Sequence, residues 1–467
     1  MPESRLPFRS VLLLQGPNGP FFRKFAHHLR GQGSVVWKIN FNAGDALFSP
    51  RLDTFSYRGN LESWPEYLRK FLRDHRVDLV ALFGDQRPVH KAAARVCKEA
   101  GILLFVFEEG YIRPDYITLE PGGVNGHSIV LTNPIPKISR DASTRFPEAV
   151  PVGNSFPAHA ALSTLYSVAK DLGSPFFRHD SYHKPGSWTE MIYWIRAAIR
   201  KVRFSRRDHA LVESLLRSQA PFFLVPLQVY NDSQILEHSP FHSVGEFITK
   251  VMESFARAAS PNQTLLFKHH PLDRGHTDYT ALIQRTASRL CLGDRVLYIR
   301  DGHLPTLLDY AQGTVTVNST VGLSSLIHRT ATKTLGLAIY DRPGLTAQCS
   351  LDAFWFSHPV PDPNELANFL AFLKGTSQIN GSFYTGWKQI DVFAAVTDRM
   401  AAQYPSHRHR HCRTVTVQAL APLSIITPSI STSPGNAVMV TEENEILPAA
   451  RDIPSSEAAA GVPITNI

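Results

Sequence analysis

Residues 78–110 read DLVALFGDQRPVHKAAARVCKEAGILLFVFEEG. Asp78–Phe83 is an apolar run that stops at Gly84-Asp85. Val89–Ala100 has helical spacing, and Ile102–Phe107 is a second unbroken apolar run, stopping at Glu108-Glu109-Gly110. Apolar residues at successive rather than alternate positions mark strands buried on both faces, as in a parallel sheet sandwiched between helices. The alternation extends toward the N-terminus. Val11–Leu14 runs into the tight loop Gln15-Gly16-Pro17-Asn18-Gly19-Pro20, Phe21–Arg30 is helical, Val35–Asn40 is a strand and Trp64–His75 a helix. Residues 1–150 are therefore expected to form one Rossmann-like α/β lobe. Ligands of such sheets sit off the carboxyl ends of the strands, where Gln15, Asn18, Asp85 and the Glu108-Glu109 pair fall.

Downstream, residues 151–215 break the alternation and read as helical. Met191–Arg207 (MIYWIRAAIRKVRFSRR) puts Ile192, Ile195, Ile199 and Val202 on one helical face with Arg196, Arg200, Lys201 and Arg203 beside them. A basic amphipathic helix of this kind suits a membrane surface; packing of the apolar face on the core is the alternative. A second α/β lobe is expected over 216–404. Its strands are Phe222–Pro226, followed by a loop with Gln228 and Asp232, then Thr264–His269, Val296–Ile299, Thr314–Val317 and Thr334–Leu337. Helices are expected at Val244–Ala259, from Ser319 to His328, after a cap at Asn364, and over Gln389–Ala402. Two blocks joined by a helical segment predict a two-lobed enzyme with a cleft. Residues 405–467, rich in proline, serine and threonine, read as a disordered tail in which the His407–Cys412 run is solvated rather than metal-binding.

With 43% hydrophobic and 19% charged residues in 467, wholesale disorder is excluded. No apolar run approaches the roughly 18 residues that span a bilayer. Val11–Leu14 is too short for a secretory segment, so a cytoplasmic protein is expected. Cys97, Cys291, Cys349 and Cys412 form no CxxC pair, which argues against a disulfide framework or a zinc site. The net charge of +8 favours phosphate-bearing partners. Nucleic acid is disfavoured, because no aromatic-and-basic recognition module accompanies the charge. Walker A, GxGxxG, HExxH and GxSxG signatures are missing, which weighs against kinase, dinucleotide-dehydrogenase, zinc-protease and α/β-hydrolase readings.

Three constellations remain. Glu108-Glu109-Gly110-Tyr111-Ile112-Arg113 sets two carboxylates at a strand end, one for each side, with apolar neighbours that would raise a carboxyl pKa; a solvated acidic turn paired with Arg113 is the plainer reading. Lys268-His269-His270-Pro271 sets a cation and an imidazole at another strand end, where they can neutralise a leaving phosphate. Asn318-Ser319-Thr320-Val321-Gly322 opens a helix whose first turn can hold an anion, or merely caps it. An acidic pair in one lobe, and a cationic, anion-binding edge in the other, is what glycosyl transfer from a nucleotide-activated sugar needs.

These stretches also carry a resemblance. Leu12–Leu29 (LLLQGPNGPFFRKFAHHL), Gly84–Ala93, Phe107–Gly126 (FEEGYIRPDYITLEPGGVNG), Pro226–Ile235, Lys268–Pro271 and Asn318–Leu326 resemble capsule polysaccharide biosynthesis proteins of the KpsS/LipB type. Glu-Glu-Gly stands where Glu-Asp-Gly or Asp-Asp-Gly is common, and the acidic and His-Pro motifs also resemble those of bacterial sialyltransferases. The resemblance implies a GT-B-like transferase that uses CMP-Kdo to place a β-linked Kdo on a lysophosphatidylglycerol-type acceptor at the inner face of the cytoplasmic membrane, with no cofactor or metal, alongside other capsule assembly and export proteins. On that reading Glu109 is the first choice for the catalytic carboxylate and Glu108 the second. His270 and Lys268, with Pro271 fixing the turn, meet the CMP phosphate together with Asn318, Ser319 and Thr320. Gln228 and Asp232 face the donor, Gln15, Asn18 and Asp85 the acceptor. A sialyltransferase-like enzyme, a UDP-sugar 2-epimerase and a non-catalytic export component are the rival readings.

Overall fold

The computed structural model describes residues 6–136, 148–177 and 187–408; the expectations for the tail beyond Arg408 lie outside those residues. The first block carries strands β1 (Ser10–Leu13), β2 (Val35–Asn40), β3 (Asp53–Ser56), β4 (Leu79–Phe83), β5 (Leu103–Glu109) and β6 (Tyr116–Pro121). Helices α1 (Phe21–Gly31), α2 (Ala43–Leu47), α3 (Trp64–Asp74) and α4 (Pro88–Ala100) connect them, and the short α5 (Ile129–Thr132) follows. In β5, Leu103, Phe105 and Phe107 pack with Phe21 and Phe25 of α1, while Leu104 and Val106 pack with Val96 of α4 and Leu68 of α3. Both faces are covered, which is why Leu103–Phe107 is apolar at every position.

Helices α6 (Phe156–Leu172) and α7 (Ser187–Ser218) lead to the second sheet. Its strands are β7 (Phe222–Pro226), β8 (Thr264–Lys268), β9 (Val296–Ile299), β10 (Gly313–Thr316) and β11 (Ala331–Thr334), all parallel, in the order β11-β10-β7-β8-β9. Helices α8 (Ser233–His238), α9 (Val244–Ala258), α10 (Thr280–Arg289), α11 (Leu304–Tyr310) and α12 (Thr320–Ile327) link them. After α13 (Leu351–Phe354) and α14 (Pro363–Thr376) the chain returns to the first sheet as β12 (Gln378–Asn380) and ends its described course in α15 (Val392–Arg408).

The first sheet has the order β12-β6-β5-β4-β1-β2-β3. Its β1–β5 core is parallel, as expected, but β6 runs antiparallel to β5 and β12 antiparallel to β6. The six residues between β5 and β6 are too few for a parallel crossover. Residues 216–404 were expected in the second block; from Gln378 they belong to the first sheet instead, and Val392, Val396 and Met400 of α15 pack with Phe8, Phe25 and Phe107. The last parallel strand is Ala331–Thr334 rather than Thr334–Leu337. It pairs with Gly313–Thr316, whereas the Leu335 N–H turns to the Thr316 and Val317 carbonyls. The α14 cap is Asp362, whose carboxylate accepts the Asn364 and Glu365 N–H groups.

Both sheets have a topological switch point. In the first the chain steps outward from β1 through β3 and then returns to β4 on the other side of β1; in the second it steps from β7 to β9 and returns to β10 on the other side of β7. Crevices open at the carboxyl ends of such strand pairs. Tyr111, Ile112 and Val130 of the first block share one buried cluster with Leu323, Leu326 and Tyr340 of the second, so the two sheets are packed into one unit.

Candidate active site

Asp85 follows β4 at the first switch point. The loop is set by Gly84, at φ +68°, and by His90, a fully buried neutral ring whose Nδ1 lies 2.6 Å from the Gly84 carbonyl. Burial holds its pKa well below the usual imidazole range. Asp85 is itself buried. Its Oδ2 accepts the Val124 N–H at 3.1 Å and lies 3.0 Å from His127 Nδ1; its Oδ1 accepts from Gln86 at 2.8 Å.

Glu108 and Glu109 leave β5 on opposite faces, as strand alternation requires. Glu108 is held by the Glu109 N–H, which its Oε1 accepts at 2.9 Å. Burial pushes its carboxyl up to about 7, and repulsion from Glu109 and Asp85 adds to the rise. Glu109 turns to the other face, where its Oε1 accepts the Tyr384 hydroxyl at 3.2 Å and the Tyr384 ring stacks on His159 at 4.3 Å. Sequence reasoning placed Glu109 first. Glu108 is the carboxyl whose charge interacts with Asp85 and Arg87.

Gln15 and Asn18 are engaged by α6. Gln15 Nε2 donates to Tyr166 Oη at 2.5 Å and Asn18 Nδ2 to Ser163 Oγ at 3.1 Å. Arg87 donates to Gln15 Oε1 at 2.8 Å, bridging the carboxyl ends of β1 and β4. These two residues anchor α6 over the sheet edge, a duty that their sequence positions did not reveal.

Gln228, Asp232 and Asn318 meet at the second switch point. Gln228 Nε2 donates to Asp232 at 3.0 Å and to Asn318 Oδ1 at 3.1 Å, joining the ends of β7 and β10. Lys268 ends β8 almost fully buried. Burial, with repulsion from Arg274, lowers its pKa to about 8, and its Nζ donates no hydrogen bond among the described residues. The adjacent histidines divide. His269 is a core residue whose Nδ1 lies 2.7 Å from the Tyr298 hydroxyl. His270 is the N-cap of the turn at Pro271, its Nδ1 accepting the Leu272 N–H at 3.2 Å. With Nδ1 an acceptor, the proton of the neutral ring sits on Nε2. Burial, then the charges of Lys268 and Arg113, hold its pKa down at about 3. Ser319 caps α12 by accepting the Val321 N–H, and its carbonyl accepts the Tyr340 hydroxyl. A Cβ on Gly322 would collide with that hydroxyl, so the glycine admits Tyr340. Thr320 and Asn318 line a recess with Tyr111 and Asn125 of the first block.

The two edges face each other. Arg113 of the acidic segment acts on His270, the rings of His127 and His238 are 5.0 Å apart, and Lys91 pairs with Glu237 at 2.6 Å. Sequence reasoning missed His127, His238 and Tyr384. Arg113 was read as a partner for the glutamates; its Nε instead donates to the Gly110 carbonyl at 3.2 Å. The glycines at 122, 123 and 126 were the signal for His127. Nothing local marks Tyr384.

On α7, Ile192, Ile195, Ile199 and Val202 are 59%, 53%, 61% and 79% exposed, so the expected alternative of an apolar face packed on the core does not hold. Arg196, Lys201 and Arg203 are exposed beside it. Arg200 is a correction: its guanidinium donates to the Arg274 and Thr277 carbonyls, both at 2.7 Å, and so anchors the helix to the second block. Among the described residues no helix is long and apolar enough to cross a membrane.

Two α/β sheets, with polar clusters at their switch points facing across a crevice, define the class of the molecule. The model of the family described as capsule polysaccharide biosynthesis protein matches residues 78–384, which hold Asp85, the glutamate pair, Lys268 and Asn318; the chain belongs to that family. It is 37% identical to the capsule polysaccharide export protein KpsS of Escherichia coli, over 80% of this chain and 97% of that one. It is also 37% identical to the capsule polysaccharide modification protein LipB of Neisseria meningitidis serogroup B, over 80% of this chain and 92% of that one. Among solved structures, the β-Kdo 2,7-transferase of Thermosulfurimonas dismutans KpsC aligns over 78% of this chain and 89% of its own, at 15% identity and a TM-score of 0.38.

Proposed function

We propose that the protein is a glycosyltransferase that moves Kdo from CMP-Kdo, with retention of the β-configuration, onto a lysophosphatidylglycerol-type lipid. The observation that carries this reading is the anion seat at the crevice. His270 offers an Nε2–H, Lys268 brings a buried ammonium with unused hydrogen-bonding capacity, and Arg113 arrives from the opposite block. A buried cation is costly unless an anion meets it. A single nucleotide phosphate fits that need and requires no metal, and charge developing on it as CMP leaves is stabilised by donors already in place.

Glu108 is the carboxylate assigned to the anomeric carbon. With retention it attacks from the face opposite the phosphate and is displaced in turn by the acceptor hydroxyl. Gln228, Asp232 and Asn318 hold the nucleotide side, with Ser319 and Thr320 at the helix start. Glu109 orients Tyr384. The exposed apolar and basic face of α7, with Arg196, Lys201 and Arg203, is assigned to the inner-membrane surface, where an anionic lipid acceptor resides. Other capsule assembly proteins are the expected neighbours.

A donor panel tests the reading. The protein should release CMP from CMP-Kdo in the presence of lysophosphatidylglycerol and leave UDP-sugars intact. Turnover of CMP-sialic acid instead would make it sialyltransferase-like, and turnover of no donor, with CMP unbound, would favour a non-catalytic export component.

A further inference from the structure

The glycine-rich stretch Pro121-Gly122-Gly123-Val124-Asn125-Gly126-His127 builds a feature that none of the roles above uses. Gly122 takes φ +86°, and a Cβ on Gly123 would lie 2.6 Å from the His127 Cβ and 3.2 Å from Asp85 Oδ2. Only glycine lets the loop press His127 onto Asp85. The aspartate is 6% exposed and gives Oδ2 to His127 Nδ1 at 3.0 Å and to the Val124 N–H at 3.1 Å. The histidine side chain, in contrast, is 52% exposed and stands at the crevice, edge-on to His238. His127 Nδ1 lies nearer to Asp85 Oδ2, at 3.0 Å, than to the Gln86 amide nitrogen, at 3.3 Å; with the Nδ1–H given to the carboxylate, the neutral ring carries its lone pair on Nε2, and that nitrogen has no hydrogen bond among the described residues. Asp85 also lies within electrostatic reach of Glu108.

We infer that His127 is a catalytic base, oriented by Asp85, for the second half of the transfer. This rests on the reading above, in which Glu108 is occupied as the nucleophile and the acceptor hydroxyl is left without a base. In that step the acceptor oxygen bonds to the anomeric carbon as the bond between that carbon and the Glu108 carboxylate breaks, and its electron pair returns to the carboxylate. The hydroxyl proton passes to His127 Nε2, and the imidazolium is neutralised by Asp85 until water takes the proton. A buried carboxylate behind an exposed imidazole is the arrangement that holds the tautomer and stabilises the cation.

The test uses the full chain with CMP-Kdo and a fluorescent lysophosphatidylglycerol. His127→Asn keeps a donor for Asp85 and removes Nε2. It should bind CMP as the parent does and release about one equivalent of CMP per chain. It should accumulate a sugar-bearing protein visible by intact mass spectrometry, and transfer sugar at least about 100-fold more slowly. Added imidazole should restore transfer to His127→Ala. Parent-like transfer by His127→Asn would overturn the assignment. So would loss of the CMP burst at unchanged CMP affinity, or failure of imidazole to rescue His127→Ala while that variant still binds CMP. Absence of CMP release by the parent itself would defeat the transferase reading rather than the role of His127 within it.

Discussion

Two adjacent glutamates differ here through strand parity. Glu108 lies within electrostatic reach of Asp85, and burial lifts its carboxyl to about 7; Glu109, on the opposite side of β5, accepts the Tyr384 hydroxyl. Glu108→Gln should therefore lower turnover at least about 100-fold, the scale of a lost nucleophile or base, whereas Glu109→Gln should cost less. The raised pKa also makes a stability prediction. An acid whose folded pKa lies above its unfolded value of 4.5 contributes stability that is fully present below pH 4.5 and is lost as the pH rises through about 7. Glu108→Gln removes that loss, so its melting temperature should exceed the parent's at pH 8, by about 2–4 °C, and match it near pH 4.5. An equal difference at both pH values would refute a proton-holding Glu108. At the facing edge, His270→Ala should weaken CMP binding, measured by calorimetry, by about 10-fold or more, as expected for a charge-assisted hydrogen bond. His269→Phe, a change in the core, should reach CMP only through stability.

At the scale of elements, what was legible in the sequence follows from local physics. The strands with unbroken apolar runs, β4, β5, β7 and β8, could be read because burial on both faces leaves no other pattern. The ends of those strands located Asp85, the glutamates, Lys268 and His270. Short or polar strands could not be read. Asp53–Ser56 is mostly exposed and Ala331–Thr334 alternates threonine with alanine and lysine, and both exist because a neighbouring strand offers its edge. Nor could β12 be read, since its pairing with β6 joins residues some 260 positions apart. The contact of Tyr384 with Glu109 is hidden for the same reason. Helix α7 was legible as amphipathic, but the role of Arg200 was not, because its partners are backbone carbonyls of another segment. Of the four cations beside the apolar face, Arg196, Lys201 and Arg203 are thus the exposed ones. Changing all three to glutamine should reduce sedimentation with phosphatidylglycerol vesicles, by roughly 1 kcal/mol per charge at low salt, and leave CMP affinity unchanged. Undiminished sedimentation would remove α7 from the membrane assignment.

In the whole molecule the two switch points are brought to one crevice. Gln15, Arg87 and Asp85 lie at the first; Gln228, Asp232 and Asn318 lie at the second. Arg113 reaches from the first block toward His270, so a variant in one block should be felt by a ligand of the other. Arg113→Gln should weaken CMP binding several-fold, and unchanged affinity would mean that the nucleotide phosphate sits in the second block alone. The central claim is sugar transfer across this crevice, and product mass spectrometry tests it most directly. Parent protein and Glu108→Gln are incubated with CMP-Kdo and a fluorescent lysophosphatidylglycerol. The parent should yield the lipid enlarged by one β-linked Kdo and Glu108→Gln almost none, with both binding CMP; an unmodified lipid with the parent, or equal product from both proteins, would contradict the account.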